Sequence, residues 1–285
     1  MKLLQKLIFL LLIVSLALYV LACEFSKVTL TPMPTSTHAS TTAKSIEKTP
    51  VDELIIILHA GGSFQGVTHL NAQETFEYYY NQGYRYFEYD LRLSSDGRII
   101  ATHAWEHLNV TNTNPTYEEF KSLRLDNGFT PANEEWLIET IKKYPDVNFI
   151  IDAKMDSTEG DSAVLARLEA LEDIYNVDIS PNIIPEIFSI EMWNIVKQQT
   201  TFDRYLFSHY KVYYTVDTML EHFSDDRIWG FALPTYTDSD IRSRLSEVKE
   251  TKVIFVFTPT SKNGVEDAIE MGADGVYLDD VSLIE

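Results

Sequence analysis

The side chains best placed to do chemistry lie in one segment, Tyr86 to His103, with the sequence YFEYDLRLSSDGRIIATH. Glu88 and Asp90 are two residues apart on a predicted strand, so their side chains leave the same face about 7 Å apart. Two such carboxylates can bind one cation, whose ligand bonds are about 2.0–2.6 Å long. If the turn at 95–97 centres near Ser95-Asp96, the returning strand places His103 roughly across from Glu88, about 5 Å away at Cα. The hairpin therefore predicts a metal pair beside a proton donor.

Further polar side chains end the neighbouring predicted strands. His59 follows the apolar run 54–58, and Asp152 and Lys154 end the run 147–154. Because the carboxyl ends of the strands gather at one face of a β/α barrel, these side chains are expected to meet there. Asp152 follows three apolar residues, so we expect it to be buried and to need a partner, either a cation or Lys154.

Each of these residues also has a purely structural interpretation. A lone Glu-x-Asp pair is more often the solvent face of an exposed strand, and a lone histidine such as His59 is more often structural than catalytic. The conjunction of three carboxylates, two histidines and a lysine on adjoining strand ends is much less expected by chance than any one member.

The chemistry that suits this set is cleavage of a phosphate ester. Carboxylate oxygens favour one hard divalent cation, Mg²⁺ or Ca²⁺, over zinc. Two histidines beside that cation suit a base and an acid, because imidazole titrates near neutral pH. The cation and the lysine would hold the phosphate oxygens while the histidines move protons.

The elements that must position these residues follow from the alternation of the chain. Several apolar runs of strand length, the first at 54–58, are separated by segments of helical spacing. A strand that is apolar on both faces indicates a sheet covered on both sides. We count about eight such strands, which predicts an α/β fold with a single β/α (TIM-type) barrel and a β-hairpin insertion after the second strand. An open doubly wound sheet is the alternative, but no G-x-G-x-x-G motif supports its dinucleotide-binding form.

Length and charge limit the classes of partner. The chain has 285 residues, 45% of them apolar, enough for a sizeable core, and a net charge of −20. Such a surface repels nucleic acid, so no nucleic-acid partner is expected. It also repels anionic substrates unless a bound cation or a lysine reverses the field locally. The oligomeric state is not indicated by the sequence.

The amino-terminal segment has the pattern of a secretory signal. Two lysines precede an apolar run, Leu7 to Val20, and Leu21 and Ala22 then lead to Cys23, the single cysteine. A cysteine directly after a small residue resembles the bacterial lipoprotein signal, in which Cys23 becomes the lipidated amino terminus. An ordinary signal or a transmembrane anchor is the alternative. Either interpretation places the folded part outside the cytoplasm, anchored at or close to the bacterial membrane.

A low-complexity segment follows. About half of residues 27–50 are Ser, Thr or Pro without a hydrophobic period, a composition typical of an extended tether. The predicted organisation is a lipoprotein-type signal peptide at 1–22, a tether at 23–50 and a barrel at 51–285.

Taken in order, these residues resemble the glycerophosphodiester phosphodiesterase family, relatives of the phosphatidylinositol-specific phospholipases C. The resemblance spans about 54–280 and is nearest to a branch with HAGG in place of HRG. The matching motifs are His59-Ala60-Gly61, Asn71 with Glu74, Glu88-Tyr89-Asp90, Asp96-Gly97, His103-Ala104, Asp152-Ala153-Lys154 and Leu278-Asp279.

The resemblance implies a β/α barrel that hydrolyses phosphodiesters, first among them glycerophosphodiesters or a lipid head group. It implies that the metal ligands are Glu88, Asp90 and Asp152, that the acid/base pair is His59 and His103, and that Lys154 and Asn71 contact the substrate. Trp229 is a further candidate substrate contact, because it lies near a strand end and could line an alcohol pocket. In the family, a neighbouring substrate hydroxyl is thought to attack phosphorus first, giving a cyclic phosphate that water then opens.

Three departures from the family pattern leave alternatives open. Ala60 replaces an arginine that would hold the phosphate, Asp152 replaces a glutamate, and Ala104 replaces an aspartate. A catalytically weak or inactive ligand-binding lipoprotein, and a lyase that releases a cyclic phosphate, are therefore alternatives to the hydrolase. For His69 and His107, which match no motif, solvated or structural roles are expected. For Trp229, core packing is the alternative to lining an alcohol pocket.

Overall fold

The computed structural model describes residues 53–108, 110–125 and 127–284. The predicted signal peptide, the tether and Cys23 lie outside the described residues. No helix in the described ranges has both the length and the hydropathy that a membrane crossing requires.

Eight parallel strands close into a barrel, with a ninth strand bonded outside it, as the sequence predicts. The barrel closes because β1 pairs with β9 on one side and with β2 on the other. The described strands are β1 (Ile55–Leu58), β2 (Tyr86–Leu93), β3 (Ile99–Ala101), β4 (Asn148–Ala153), β5 (Ile183–Ile187), β6 (Tyr205–Ser208), β7 (Ile228–Pro234), β8 (Val253–Phe257) and β9 (Gly275–Leu278).

Helices connect the barrel strands and cover their outer face. Several begin at a serine, threonine or asparagine whose side chain accepts a backbone N–H of the first turn, as Ser157 does from Gly160. The described helices are α1 (Gln73–Tyr80), α2 (Tyr117–Lys121), α3 (Glu134–Lys143), α4 (Thr158–Tyr175), α5 (Ile190–Gln199), α6 (Val216–His222), α7 (Ser239–Lys249) and α8 (Lys262–Met271).

The barrel has two apolar cores. A large one lies between the strands and the helices, and a smaller one fills the barrel interior. The interior cluster comprises Ile57, Ile150, Ile184, Leu206, Ala232, Phe255 and Tyr277. Side chains alternate along each strand, so the next inward positions towards the carboxyl ends follow these apolar ones. On β4 and β5 those positions are Asp152 and Glu186, which places polar groups above an apolar floor.

The hairpin after β2 differs from the prediction by one residue of register. Leu91 pairs with Ala101 and Leu93 with Ile99, so the turn centres on Asp96. The strand β3 ends at Ala101, and the continuing register bonds the N–H of residue 102 to the carbonyl of residue 90 at 3.0 Å. The prediction that His103 pairs across from Glu88 is therefore wrong. His103 lies beyond the paired strand, in the loop that leads away from it.

Candidate active site

A cavity of about 240 Å³ opens at the carboxyl ends of the barrel strands. Its wall contains five of the residues that the sequence singles out, from four different segments: His59, Glu88, His103, Asp152 and Lys154. This is the face of a β/α barrel on which active sites are built. The fold thus brings the predicted chemistry together.

Three buried carboxylates form an acidic cluster on β2 and β4. Glu88, Asp90 and Asp152 each offer one oxygen, and these oxygens lie within 4.8 Å of one another. The register explains the proximity, because Asp90 pairs directly with Asp152 and Glu88 lies one inward position earlier on β2. The three residues are at most 8% exposed.

Each of these carboxylates has one oxygen bonded to the protein and one oxygen without a hydrogen-bond partner. The bonded oxygens accept from the N–H of Ala60 at 2.6 Å in Glu88, from Asn71 at 2.8 Å in Asp90, and from Lys154 in Asp152. The other three, Oε1 of Glu88 and Oδ1 of both aspartates, are buried and accept no hydrogen bond from the residues that the structure describes. Oδ1 of Asp90 is 3.3 Å from Nζ of Lys154, an ion pair without hydrogen-bond geometry. Buried oxygens of this kind are costly unless something else binds them.

The pKa values of the cluster reflect this shortage of positive charge. Burial, followed by the neighbouring carboxylates Asp90 and Asp152, raises the pKa of Glu88 well above its usual value. Burial also raises the pKa of Asp152, to about 6, although Lys154 acts in the opposite sense. Burial alone would lower the pKa of Lys154, but Asp152 and Asp90 outweigh it and raise that pKa. One lysine faces three carboxylates, so the donor set fits a divalent cation with oxygen ligands.

The turn after β1 supplies the backbone donor to this cluster. Ala60 has left-handed backbone angles, φ 47° and ψ 39°, and its N–H points at Glu88. Gly62, at φ +84°, closes the turn onto the carbonyl of His59, and a Cβ there would lie 2.6 Å from the ring of Tyr79. Glycine at position 62 is thus required locally by conformation and space. Ala60, where the family has an arginine, contributes its backbone to the site.

Asn71 positions Asp90 and does not reach the cavity. Its side chain is fully buried and makes two bonds to Asp90, from Nδ2 to Oδ2 at 2.8 Å and from the Asp90 N–H to its Oδ1 at 2.9 Å. The prediction of a substrate contact is corrected on this point, because both polar atoms of the amide already bond Asp90.

The two predicted proton carriers occupy different settings. Nδ1 of His59 lies 2.8 Å from Oδ1 of Asp279, which follows β9. With Nδ1 engaged in this bond, Nε2 of His59 faces the acidic cluster and lies 3.9 Å from Oε2 of Glu88. Although burial raises the pKa of Asp279, its hydrogen bond to His59 and the charges of the nearby histidines together lower it more. The pKa of His103 is lowered, mainly by burial and also by the charge of Lys154.

The structure adds three residues to which the sequence interpretation gave no role. Asp279 bonds His59, and His69 and Glu186 line the cavity. Glu186 accepts a hydrogen bond from Tyr277 of β9, which faces β5 across the barrel. The inward alternation of Ile184 and Glu186 is a signal that could have identified the latter. His69 lies in an irregular loop, where the sequence carries no such period.

Trp229 is the one predicted substrate residue at the wrong end of the barrel. It is the second residue of β7, which continues to Pro234, so it lies near the amino end of the strand. Its ring centroid is 5.1 Å from that of Phe255 and 6.1 Å from that of Tyr86, near the apolar floor. Because Trp229 packs against the apolar interior and does not line the cavity, the alternative, core packing, is correct.

Comparisons with known proteins agree with this geometry. A sequence model of the glycerophosphoryl diester phosphodiesterase family matches residues 64–283. Among curated proteins, none matches significantly. Solved structures with the same fold include a protein from Galdieria sulphuraria assigned as a glycerophosphodiester phosphodiesterase, at 17% identity and a TM-score of 0.67 over 81% of this chain and 96% of that one.

Two further solved structures share the fold, with similar sequence identities and TM-scores. The glycerophosphodiester phosphodiesterase of Thermotoga maritima is 20% identical, with a TM-score of 0.60 over 81% of this chain and 96% of its own. A phosphodiesterase of Oleispira antarctica, solved with the product sn-glycerol-3-phosphate, is 17% identical, with a TM-score of 0.61 over 79% and 92%. With its family model matched over most of the barrel, this chain belongs to the glycerophosphoryl diester phosphodiesterase family, whose members are phosphoric diester hydrolases.

Proposed function

We propose that this protein hydrolyses glycerophosphodiesters with the help of one divalent cation, Mg²⁺ or Ca²⁺, held by Glu88, Asp90 and Asp152. The observation that carries the proposal is the set of three buried carboxylate oxygens that accept no hydrogen bond from any described residue, beside a cavity flanked by His59 and His103. A related fold that holds sn-glycerol-3-phosphate supports a glycerol phosphate product.

Each residue of the site has a proposed role in the reaction. His59 is the base, because Asp279 on its Nδ1 stabilises the imidazolium that forms when Nε2 takes a proton. It accepts the proton of a neighbouring substrate hydroxyl while that oxygen bonds to phosphorus, the bond from phosphorus to the leaving alcohol breaks, and His103 protonates the leaving oxygen. Water then gives a proton to His103 and bonds to phosphorus, and His59 returns its proton to the ring oxygen that leaves, so the cyclic phosphate opens to the phosphomonoester. Lys154 lies between the cluster and the cavity and balances the phosphate charge. The bound cation would supply electrostatic stabilisation of the phosphate oxygens.

The first test is turnover by the purified full-length chain. Glycerophosphodiesters are incubated with Mg²⁺, with Ca²⁺ or with EDTA, and the phosphorus products are followed by ³¹P NMR. Turnover that EDTA abolishes is the expected result. A cyclic phosphate that persists would identify a lyase instead, and binding without turnover with either cation would identify a ligand-binding lipoprotein.

The second test separates proton transfer from metal binding. His103→Ala is expected to bind the cation normally and to lose about 10²–10⁴-fold in turnover, the usual contribution of acid/base help. His107→Ala is the matched control, since its ring lies 6.4 Å from that of His103 but does not line the cavity. Normal turnover by His103→Ala would show that its assigned role is wrong.

The proposed location is extracytoplasmic, with lipidated Cys23 anchoring the chain to a bacterial membrane through the 23–50 tether. The support is the sequence pattern alone, a charged start, an apolar run and Ala22-Cys23. Expression with a labelled fatty acid tests it: wild type should carry the label in the membrane fraction, and Cys23→Ser should not. An unlabelled wild type would contradict the proposal.

A further inference from the structure

His69 lies between the two proposed proton carriers. Its ring centroid is 4.9 Å from that of His59 and 4.6 Å from that of His103, and its side chain lines the cavity. It therefore contacts both imidazoles at the place where a phosphodiester would have to lie for proton transfer. Neither the family resemblance nor any sequence motif assigns a function to His69.

The loop holds His69 in an unusual conformation. Its φ is +57°, and Asn71, two residues later, has φ +49°. Residues other than glycine keep such angles only where the surrounding structure enforces them, and they concentrate at functional sites. Here Leu70 packs into a small apolar cluster and Asn71 is bonded to Asp90, so the two anchors direct His69 towards the cavity.

The ring of His69 is also oriented by a hydrogen bond. Its Nδ1 lies 2.9 Å from Oγ1 of Thr68. When that hydroxyl donates to Nδ1, the neutral ring carries its proton on Nε2, for which the described residues show no hydrogen-bond partner. Burial, then the charge of His59, lowers the pKa of His69, so the neutral form is favoured. The ring is thus set up as a neutral N–H donor.

The cavity has few positively charged groups to hold an anionic phosphate. Among the described residues that line it, Lys154 has the one permanent positive charge, and Lys154 is already bonded to Asp152. His59 and His103 must exchange protons, so neither can remain a fixed donor to a phosphate oxygen. The proposed cation lies on the side of the acidic cluster. A fixed donor among the histidines would hold the phosphate from another direction.

We propose that His69 donates from Nε2 to a non-bridging oxygen of the bound phosphodiester and so holds it between His59 and His103. This inference rests on the proposed function, since it names a further contact in the same site. It makes His69 a substrate-binding residue that stabilises charge in the transition state, separate from the pair that moves protons.

The variants are chosen for the backbone as well as for the chemistry. His69→Gly removes the ring and adopts the left-handed angle without strain. His69→Asn also tolerates that angle and restores a side-chain N–H donor with a shorter reach. His107→Ala is the matched control, because its ring is 6.5 Å from that of His69 and does not line the cavity.

In the full-length, cation-loaded protein, His69→Gly is expected to lower kcat by about 10²-fold, the usual effect of losing one transition-state donor. His69→Asn should recover part of that loss, and His107→Ala should match the wild type. The affinity for the cation and the melting temperature should stay unchanged. Both limbs of the pH–rate profile should also remain, because His59 and His103 are intact, and the affinity for sn-glycerol-3-phosphate should fall in His69→Gly.

Three results would overturn the inference. Turnover of His69→Gly equal to that of His107→Ala would show that the phosphate does not need this donor, while the proposed hydrolysis would stand. Loss of one limb of the pH profile would show that His69 moves protons and is not a fixed donor. Absence of turnover in the wild type with every glycerophosphodiester and cation would refute the proposed function, and the inference would fall with it.

Discussion

Two buried acidic sites in this barrel have opposite electrostatics. Glu134, the first residue of α3, has no exposed surface, and all of its bonding capacity is used. Its carboxylate accepts hydrogen bonds from Arg98 at 3.0 Å, from Arg167 at 2.8–3.0 Å, from the N–H of Ile99 at 3.1 Å and from Tyr175 at 3.2 Å. Although burial raises the pKa of Glu134, these partners lower it more.

The acidic cluster in the cavity has the reverse balance. Glu88, Asp90 and Asp152 face one lysine, and three of their oxygens accept no hydrogen bond. The comparison shows how a fold treats a carboxylate that it needs for its own stability and one that it keeps for a ligand. The former joins the hairpin, α3 and α4 through complete pairing, and the latter is left incompletely paired, as the proposed cation site requires.

The strongest test of the difference between the two sites is to replace one carboxylate in each site by the amide of the same shape. Glu88→Gln keeps an acceptor for the N–H of Ala60 and removes the charge. We expect it to abolish the cation-dependent rise in melting temperature and to lower turnover by about 10³-fold or more, since the cation contributes several kcal/mol. The metal-free protein should be no less stable than wild type, because a buried, unpaired charge is gone. Calorimetry with and without cation measures both effects.

Glu134→Gln should give the opposite pair of results. Loss of this charge leaves Arg98 and Arg167 without their shared carboxylate, and we expect a destabilisation of about 3 kcal/mol. That value is at the low end for buried ion pairs because both arginines are about a quarter exposed. Cation affinity should match the wild type. A stable Glu134→Gln protein, or one that no longer binds the cation, would remove the distinction between the two sites. Urea unfolding gives the stability.

The same comparison explains what the sequence could predict and what it could not. The apolar runs and the polar residues at their ends were enough to predict the barrel and the grouping of Glu88, Asp90 and Asp152. Alternation along a strand and parallel register determine which side chains share a face. Glu134 was missed, since its partners come from the hairpin and α4, far apart in sequence. The place of His69 in the cavity was missed because it depends on two loop residues with left-handed backbone angles, His69 itself and Asn71. The expectation for Trp229 was wrong because this residue lies at the amino end of β7, opposite the face on which the cavity opens.

The smallest effect concerns pH, where the two sites should respond with opposite signs. The pKa of Asp152 rises from 3.8 unfolded to about 6 in the folded, metal-free protein. Between these values the folded state binds more protons, so this contribution to stability is complete below about pH 4 and is lost as pH rises through about 6. Glu186, with its pKa raised by burial to about 8, extends the same loss upwards. The lowered pKa of Glu134 means that its contribution is lost as pH falls.

The metal-free protein should therefore melt at lower temperature at pH 8 than at pH 5, by a few degrees for each kcal/mol of lost stability. Added cation should restore more stability at pH 8, because it favours the ionised cluster. Asp152→Asn controls for the general effect of net charge and should lose less stability over this range, and Glu186→Gln should flatten its upper part. Glu134→Gln should keep the whole decline and alter only the acid side. A melting temperature that stays level or rises from pH 5 to pH 8 without metal would mean that the empty cluster does not favour protons. The two buried sites would then differ in location only.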